Sequence, residues 1–362
     1  MAGIRATRLT VRGYRSFEDF ELTLDPRITV LVGRNAVGKT NLVEALQLLT
    51  SGSSFRRPSP AELLREGSSA GRARLGIEGE GRLLDMEMRL ADGKRTFARN
   101  GKRVTAAGVR GVLPSVLFCP DDLDMVKRSA SVRRATLDSF GVQLNEQYAK
   151  LVSAYERTVE QRNSLLRDCP SGALLEAWDE SLAATGAQLL LHRSALLGRI
   201  REHFVDVYRA IAPHEEPDVV YEPTIGASTG TRDELTALFL TALRARREEE
   251  LRRGMTLVGP HRDEVLFRID GRSARDYGSQ GQQRSIVLAW KIAEVQVTRD
   301  ILGYPPLLLL DDVMSELDAS RRDAIMGFVA DEVQTVITTT NLGYFSQEML
   351  DRASVTRIGP DA

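Results

Sequence analysis

The sequence predicts an α/β fold in which a domain of alternating strands and helices is split by a mostly helical insert. Three observations predict it. A buried-strand pattern runs into a glycine-rich loop and a helix near the N-terminus. Helical periodicity occupies the middle of the chain, from about Arg133 to Ala212. Strand and helix patterns then alternate again from about residue 255 onward. Such alternation on both sides of a helical run assigns the flanking segments to one split α/β unit.

Residues 4–32 alternate apolar and polar side chains and end in Ile28-Thr29-Val30-Leu31-Val32, a buried strand. A glycine-rich loop and a helix through about Leu49 follow. Residues 51–69 are rich in Ser, Gly, Pro and Arg and read as a surface loop. Residues 72–105 are strand-like. Asn100-Gly101 sits there between two short runs, and both residues tolerate the positive φ of a two-residue hairpin turn. A strand at 115–118 stops at Pro120. Leu137, Phe140, Leu144, Tyr148 and Leu151 then recur at helical spacing, as do Leu182, Leu189, Leu196, Ile200 and Phe204. Cys169-Pro170-Ser171-Gly172 separates these runs into a helical hairpin or small bundle, too short for a coiled-coil arm. A further helix covers about 232–253, with the charged stretch 244–250 read as a solvated face. Strands are expected at 255–258 and 265–269, a helix from near Gly281, a strand at 307–310, then a helix and a strand near 333–338. No internal repeat is evident.

The chain has 362 residues, 42% of them hydrophobic, which suffices for one large or two moderate domains. Lys and Arg number 49 against 50 Asp and Glu, a net charge of −1. That balance excludes a globally basic nucleic-acid binder, so any DNA contact must come from local patches or a dimer surface. Two cysteines, Cys119 and Cys169, cannot build a disulfide framework or a four-ligand zinc site. Both read as buried small hydrophobes in a reducing compartment. The opening MAGIRATRLTVRGYRS lacks an apolar signal core. No apolar run, Pro306 to Leu310 included, approaches the roughly 18 residues of a membrane span. A soluble cytoplasmic protein with no membrane contact is expected.

The strongest local signal is Gly33-Arg34-Asn35-Ala36-Val37-Gly38-Lys39-Thr40, which fits G-x-x-x-x-G-K-[ST]. Its glycines let backbone N–H groups approach phosphate oxygens, and the following helix presents its positive end. Lys39, expected at an exposed cleft, reaches the β- and γ-phosphates, and Thr40 can ligate Mg²⁺. The competing explanation, a structural glycine turn, does not require the strand before and the helix after. Leu307-Leu308-Leu309-Leu310-Asp311-Asp312 runs an apolar strand into carboxylates. Alone this is an ordinary strand-to-loop cap. Beside a phosphate loop it makes Asp311 the Mg²⁺ ligand, directly or through water, and Asp312 the group that polarises a water. ATP and Mg²⁺ are the expected cofactors.

Ser279-Gln280-Gly281-Gln282-Gln283, at a helix start, resembles the signature motif of ABC- and SMC-type ATPases. Ser315-Glu316-Leu317-Asp318 resembles their D-loop. Phosphate loop, insert, signature, strand-end acids and D-loop follow the order of that superfamily. Two more stretches resemble hallmarks of its RecF family: Val116-Leu117-Phe118-Cys119-Pro120-Asp121-Asp122-Leu123 and Leu257-Val258-Gly259-Pro260-His261-Arg262-Asp263-Glu264. The resemblance spans essentially the whole chain.

It implies an ABC-type ATPase head, a P-loop NTPase with mixed sheets around the Walker A helix. The head would comprise 1–120 and 255–362, with 121–254 an inserted helical lobe lacking a long coiled coil. Catalytic roles fall to Lys39, Asp311 and Asp312, and metal ligation to Thr40 and Asp311. Nucleotide contacts fall to Gly33, Arg34, Asn35, Ala36, Val37, Gly38, Lys39 and Thr40. Ser279, Gly281 and Gln282 would meet the ATP held by a second copy, making ATP the glue of a head-to-head homodimer. The resemblance further implies DNA binding through phosphate contacts at single-/double-stranded junctions and slow, DNA-stimulated hydrolysis that releases it. The implied setting is recombinational DNA repair, replication and the SOS response, with a RecR-type mediator as partner, RecO beside it, and support of RecA loading at gapped DNA. Some positions depart from the superfamily pattern. Asp312 stands where many ABC ATPases carry Glu, and being one methylene shorter it implies slow turnover. Thr340 occupies the usual switch-histidine position. No Q-loop glutamine is evident, and Asp121 or Asp122 falls near its place.

His261 either contacts phosphate or a dimer partner, or is a loop histidine bonded to its own backbone. Lys94, Arg95, Arg99, Lys102 and Arg103 either meet DNA phosphates or form a solvated basic hairpin. Arg56-Arg57 leaves the same pair of alternatives. Trp178 and Trp290 lie on helical faces and read as core. Two other function classes share the nucleotide motifs. A transporter ATPase would dock on membrane subunits, to which nothing here points. An SMC-like cohesion protein needs a long antiparallel coiled coil, which 133–212 is too short to supply.

Overall fold

The computed structural model describes residues 3–79, 81–168, 172–329 and 333–359. In chain order the elements begin β1 (Arg5–Tyr14), β2 (Phe17–Thr23), β3 (Ile28–Val32), α1 (Lys39–Ser51), α2 (Pro60–Leu63), β4 (Ala70–Gly79), β5 (Arg82–Ala91), β6 (Lys94–Arg99), β7 (Lys102–Val104) and β8 (Ser115–Phe118). Then come α3 (Asp124–Lys127), α4 (Ala130–Leu144), α5 (Glu146–Arg167), α6 (Gly172–Ile211), β9 (Pro217–Glu222), α7 (Arg232–Arg253), β10 (Glu264–Ile269), β11 (Arg272–Ser273), α8 (Ala274–Tyr277) and α9 (Gln280–Leu302). The chain closes with β12 (Leu307–Asp311), α10 (Ala319–Val329), β13 (Thr335–Thr339), α11 (Gln347–Asp351) and β14 (Ser354–Arg357). Two compact units result, Met1–Asp122 with Trp290–Ala362, and Leu123–Ala289.

The first unit holds two sheets. A five-stranded parallel sheet runs β14-β3-β13-β12-β8, and a six-stranded antiparallel sheet runs β2-β1-β4-β5-β6-β7. Strands β3, β8, β12 and β13 are buried at every residue, as continuous apolar strands of a covered parallel sheet should be. Helix α1 buries Leu42, Val43, Ala45, Leu46, Leu48 and Leu49 in one cluster with Leu9, Val11 and Leu75 of the antiparallel sheet and Leu31, Leu309 and Val336 of the parallel one. Most of the helix is buried, polar Glu44 and Thr50 included, and it fills the space between the two sheets. The hairpin β6–β7 turns at Asn100 (φ 49°) and Gly101 (φ 74°), as the Asn-Gly pair requires.

In the second unit, α5, α6 and α7 share a core of Tyr148, Tyr155, Val159, Leu182, Leu189, Phe239 and Leu243. Asn145 accepts from the N–H groups of Gln147 and Tyr148 and so starts α5, a break the helical periodicity conceals. The break at Cys169-Pro170-Ser171 lies outside the described residues. Helix α7 starts at a Thr231–Glu234 capping box and ends at Gly254, φ 61°. Its charged stretch is not wholly solvated: Glu250 is fully buried and Arg247 pairs with Asp179.

Two expectations are corrected. Residues 255–258 form no strand. Thr256 N and Oγ1 donate to Asn163 Oδ1, and Leu257 N donates to Glu250 Oε1, so side chains satisfy this backbone instead of a ladder. The mostly helical second unit also carries a small sheet, which moves its boundary. β10 pairs antiparallel with β9, from Glu264 opposite Glu222 to Ile269 opposite Pro217, in the sheet β11-β10-β9. That pairing groups 255–289 with the second unit, whereas the sequence division assigned the stretch to the split head; the unit boundary falls inside α9. Trp290 is buried and Trp178 half-buried, and Cys119 is a buried free thiol. Cys169 lies outside the described residues.

Candidate functional site

In the first unit, β3 delivers the chain into the loop 33–38 and α1 leaves it. Gly38 has φ 108°, and a Cβ there would lie 2.6 Å from Ser16 Oγ and 2.7 Å from the Phe17 ring. Glycine is therefore required twice at this position, by conformation and by packing. The tip residues Arg34, Asn35 and Ala36 are exposed. Helix α1 has no side-chain cap and no acid in its first turn, so its N–H groups and positive end stay available to an anion. Lys39 is not at an exposed cleft. It is only 7% exposed, and its Nζ donates to the carbonyls of Gly33 (2.8 Å) and Arg34 (2.9 Å), holding the loop closed over itself. Burial lowers its pKa, while Asp312 and Asp311 pull it back up.

The acids at the end of β12 face this loop. Thr40 Oγ1 donates to Asp311 Oδ1 at 3.0 Å, and Thr338 Oγ1 donates to the same oxygen at 2.7 Å. Thr338 Oγ1 also accepts from Asp312 N at 2.9 Å. Thr338 is reached because β12 and β13 pair in parallel with Asp311 opposite Thr338. Thr340, the residue at the switch position, is exposed beyond the end of β13. Burial pushes the Asp311 pKa up, against the two threonine hydrogen bonds and the nearby Arg56. Asp312 stands at φ 55°, and its Oδ1 is buried without a hydrogen-bond partner among the described residues. Burial raises its pKa, Lys39 opposes that, and Glu316 adds to it. A buried carboxylate, a half-buried one, a hydroxyl and an ammonium thus converge on one loop. Hard oxygens of this kind suit Mg²⁺.

Arg56 belongs to this neighbourhood, which its position in a Pro/Ser-rich loop did not reveal. It donates to Asn41 Oδ1 at 3.0 Å and lies 3.7 Å from buried Glu44. Arg57 is exposed. Of the two acids near the expected Q-loop place, Asp122 accepts from Cys119 N at 2.7 Å and pairs with Lys291 at 3.1 Å, while Asp121 is exposed.

The signature-like residues lie in the second unit. Ser279 Oγ accepts from Gln282 N (3.2 Å), and Gln282 Oε1 accepts from Ser279 N (2.8 Å), a reciprocal box at the start of α9. Ser279 is exposed, Gly281 is half-buried, and α9 has no acid in its first turn. In the D-loop-like stretch of the first unit, Ser315 Oγ donates to Asp312 O at 2.8 Å and Asp318 pairs with Arg321. The 257–264 stretch is an internal clamp of the second unit. Asp263, 1% exposed, accepts from Tyr221 OH, Thr224 N and Thr224 Oγ1. Pro260 O accepts from Arg193, and Glu264 pairs with Arg133. His261 bonds Tyr155 OH through Nδ1 (2.8 Å) and Thr256 O through Nε2 (3.1 Å), so both ring nitrogens are used internally.

Residues 5–357 match the RecF/RecN/SMC N terminal domain family. A DNA replication and repair protein RecF from Synechococcus sp. (strain JA-3-3Ab) is 38% identical over 359 residues, which cover 95% of this chain and 93% of that protein. The chain belongs to the RecF family. A second member, from Lactobacillus delbrueckii subsp. bulgaricus, is 34% identical over 364 residues, covering 96% of this chain and 94% of its own. Among solved structures, the recombination mediator protein RecF-ATPrS in the RecFOR pathway superposes with a TM-score of 0.88 at 28% identity over 95% of both chains. RecF-ATP in the same pathway gives 0.87 over 94% of each. An SmcHead bound to the C-winged helix domain of ScpA shares the fold, with a TM-score of 0.58 at 15% identity. The fold is that of the RecF and SMC heads of the ABC ATPases, with parallel and antiparallel sheets and, among the described residues, no long coiled coil.

Proposed function

We propose that this chain is an ATP-dependent DNA-binding switch of recombinational repair and replication. One observation carries the proposal: Asp311 is held between Thr40 and Thr338 at the phosphate loop, and beside it Asp312 keeps a buried oxygen with no partner among the described residues. Thr40 and Asp311 would hold Mg²⁺, which supplies neutralising charge to the triphosphate. Residues 33–40 bind the phosphates through backbone N–H groups, and Lys39 gives up its carbonyl partners for the β- and γ-phosphates. Asp312 orients a water and accepts its proton. A carboxylate raised by burial is a better base than an ordinary one, and its short side chain keeps turnover slow. The ATPase is weak and DNA-stimulated, a timer for the switch.

Ser279, Gly281 and Gln282 meet the nucleotide of a second copy, so ATP joins two heads, each a split ATPase unit with an inserted lobe. Exposed Ser279 and a helix start free of acids favour that role. Joining the heads doubles each basic patch on one surface and raises DNA affinity. A solved relative described as the recombination mediator protein RecF in the RecFOR pathway supports a RecR-type mediator as partner, and gapped DNA is the site of action this reading assigns. Among the described residues no helix is long and apolar enough to cross a membrane, and the proposed location is the cytoplasm. Molar mass in solution with ATP, with ADP and with neither tests the switch. A dimer is expected with ATP alone, and Lys39→Met should abolish it. One mass under all three conditions would overturn the proposal.

A further inference from the structure

The six-stranded sheet of the first unit carries arginines along its length, and most are matched by acids. Arg5 pairs with Glu78, Arg8 with Glu21, Arg12 with Asp19, Arg74 with Asp85, and both Arg72 and Arg89 with Glu87. The β6–β7 hairpin at one end of the sheet differs. No ion pair or side-chain hydrogen bond engages Lys94, Arg95, Arg99, Lys102 or Arg103 among the described residues, and only Arg95 has a ring contact, 5.8 Å from the Phe97 centroid. No Asp or Glu occurs between Asp92 and Asp121. Asp85, which flanks the turn, is occupied by Arg74 Nε and Nη2 at 3.2 and 2.9 Å. The turn itself is pinned. Asn100 N donates to Asp85 O, and Asn100 Oδ1 accepts from Asp85 N, each at 2.8 Å. Strand alternation and register place Arg95, Arg99 and Lys102 on one face of the ribbon and Lys94 and Arg103 on the other.

We propose that this hairpin is a docking edge for the phosphate backbone of duplex DNA; the proposal rests on the DNA-binding function above. A pinned ribbon with unneutralised cations on both faces meets phosphates without first breaking internal ion pairs. In a chain of net charge −1, a local excess of this kind dominates the short-range field. The rival role for cations at a sheet edge is to block pairing with another chain. It does not account for Arg99, where β6 is paired on both sides, with Met86 of β5 and Lys102 of β7; Lys94 and Arg95 are paired with β5 alone. The hairpin's one aromatic, Phe97, is buried, so it offers no stacking platform for single strands.

The test uses the full chain with ATP and a labelled duplex of arbitrary sequence, titrated from about 50 to about 200 mM salt. The triple variant Arg99→Gln/Lys102→Gln/Arg103→Gln should bind more weakly, by roughly tenfold for each phosphate it no longer neutralises. Its slope of log affinity against log salt should be shallower by about two to three. Lys94→Gln/Arg95→Gln should do the same with a smaller change, while Arg8→Gln, taken from a matched pair, should not. Nucleotide binding and circular dichroism of all variants should equal wild type. Unchanged affinity and slope in both hairpin variants overturns the assignment. So does a variant whose molar mass rises while its salt slope stays the same, since the cations then guard the edge. Wild-type protein that binds no duplex with ATP sinks the DNA-binding function itself, a result distinct from either.

Discussion

Asp312 occupies left-handed backbone at φ 55°, where one of its carboxylate oxygens is buried and unpartnered among the described residues. Such a group is costly to the fold and useful to chemistry. Asp312→Asn should keep ATP bound, because Asp311, Thr40 and Lys39 are untouched. Turnover should fall by about 10²–10⁴, the usual contribution of a positioned base. Thermal stability should hold or rise, since a buried charge is removed. Nucleotide titration, single-turnover hydrolysis and a melting curve check the three parts; an unchanged rate places the base elsewhere. His261 gives a second prediction. Burial pushes its pKa down to about 4 from an ordinary value of 6.5. Above pH 6.5 both folded and unfolded chains carry it neutral, and its full contribution to stability is present. As pH falls from 6.5 to 4 the unfolded chain takes the proton and the folded one resists, so stability is lost by about 3 kcal/mol. Denaturant unfolding at pH 7.5, 6 and 4.5 should show that slope, and His261→Gln should flatten it.

Within the second unit, the charged end of α7 decides more than its composition suggests. Arg162 on α5 is completely buried, and donates to Asp179 (2.7 Å), Glu250 (2.6 Å) and Thr256 (2.9 Å). Glu250, also buried, accepts in addition from Leu257 N and so ties α7 to the irregular stretch that follows it. Burial raises the Glu250 pKa, and the hydrogen bond from Leu257 and the Arg162 charge oppose it. Removing one partner strands the others. Glu250→Ala should destabilise the chain by about 3–5 kcal/mol. Glu249→Ala, one residue earlier and paired with surface Arg246 and Arg253, should cost under about 1 kcal/mol. Thermal unfolding measures the difference, and hydrogen exchange in α5 and α7 locates it. Equal effects at 249 and 250 would refute the buried hub.

For the whole molecule, the decisive prediction concerns two copies. Ser279 does two things: its oxygen caps α9 through Gln282 N, and it stands exposed where a second copy's γ-phosphate is proposed to sit. Arginine there would remove the cap as well as block the approach, confounding helix stability with assembly. Ser279→Asp keeps a good cap acceptor and adds a negative charge opposite the phosphate. It should bind ATP as tightly as wild type, stay monomeric and not turn over. Nucleotide binding, light scattering and ATPase rate on the same samples separate these effects. A normal ATP-dependent dimer from Ser279→Asp would remove the signature from the interface.

Features controlled by local sterics and capping could be read from the residues alone. Gly33–Thr40 between a strand and a helix, the Asn100-Gly101 turn, the strand at 115–118 and the helix at 232–253 are all set by residues within a few positions of one another. The family was legible for the same reason, since its motifs are short and contiguous. Which polar groups meet is settled by packing across the fold. Thr338, not Thr340, reaches Asp311, because the register of two parallel strands set 27 residues apart chooses it. Glu250 is buried and 255–258 is irregular because Arg162 and Asn163 arrive from α5. Arg56 turns in toward α1, and β14, a strand the pattern did not announce, closes the parallel sheet beside β3. A charged side chain has the same hydropathy whether it faces water or a buried partner. Only the interaction with that distant partner supplies the free energy that distinguishes the two.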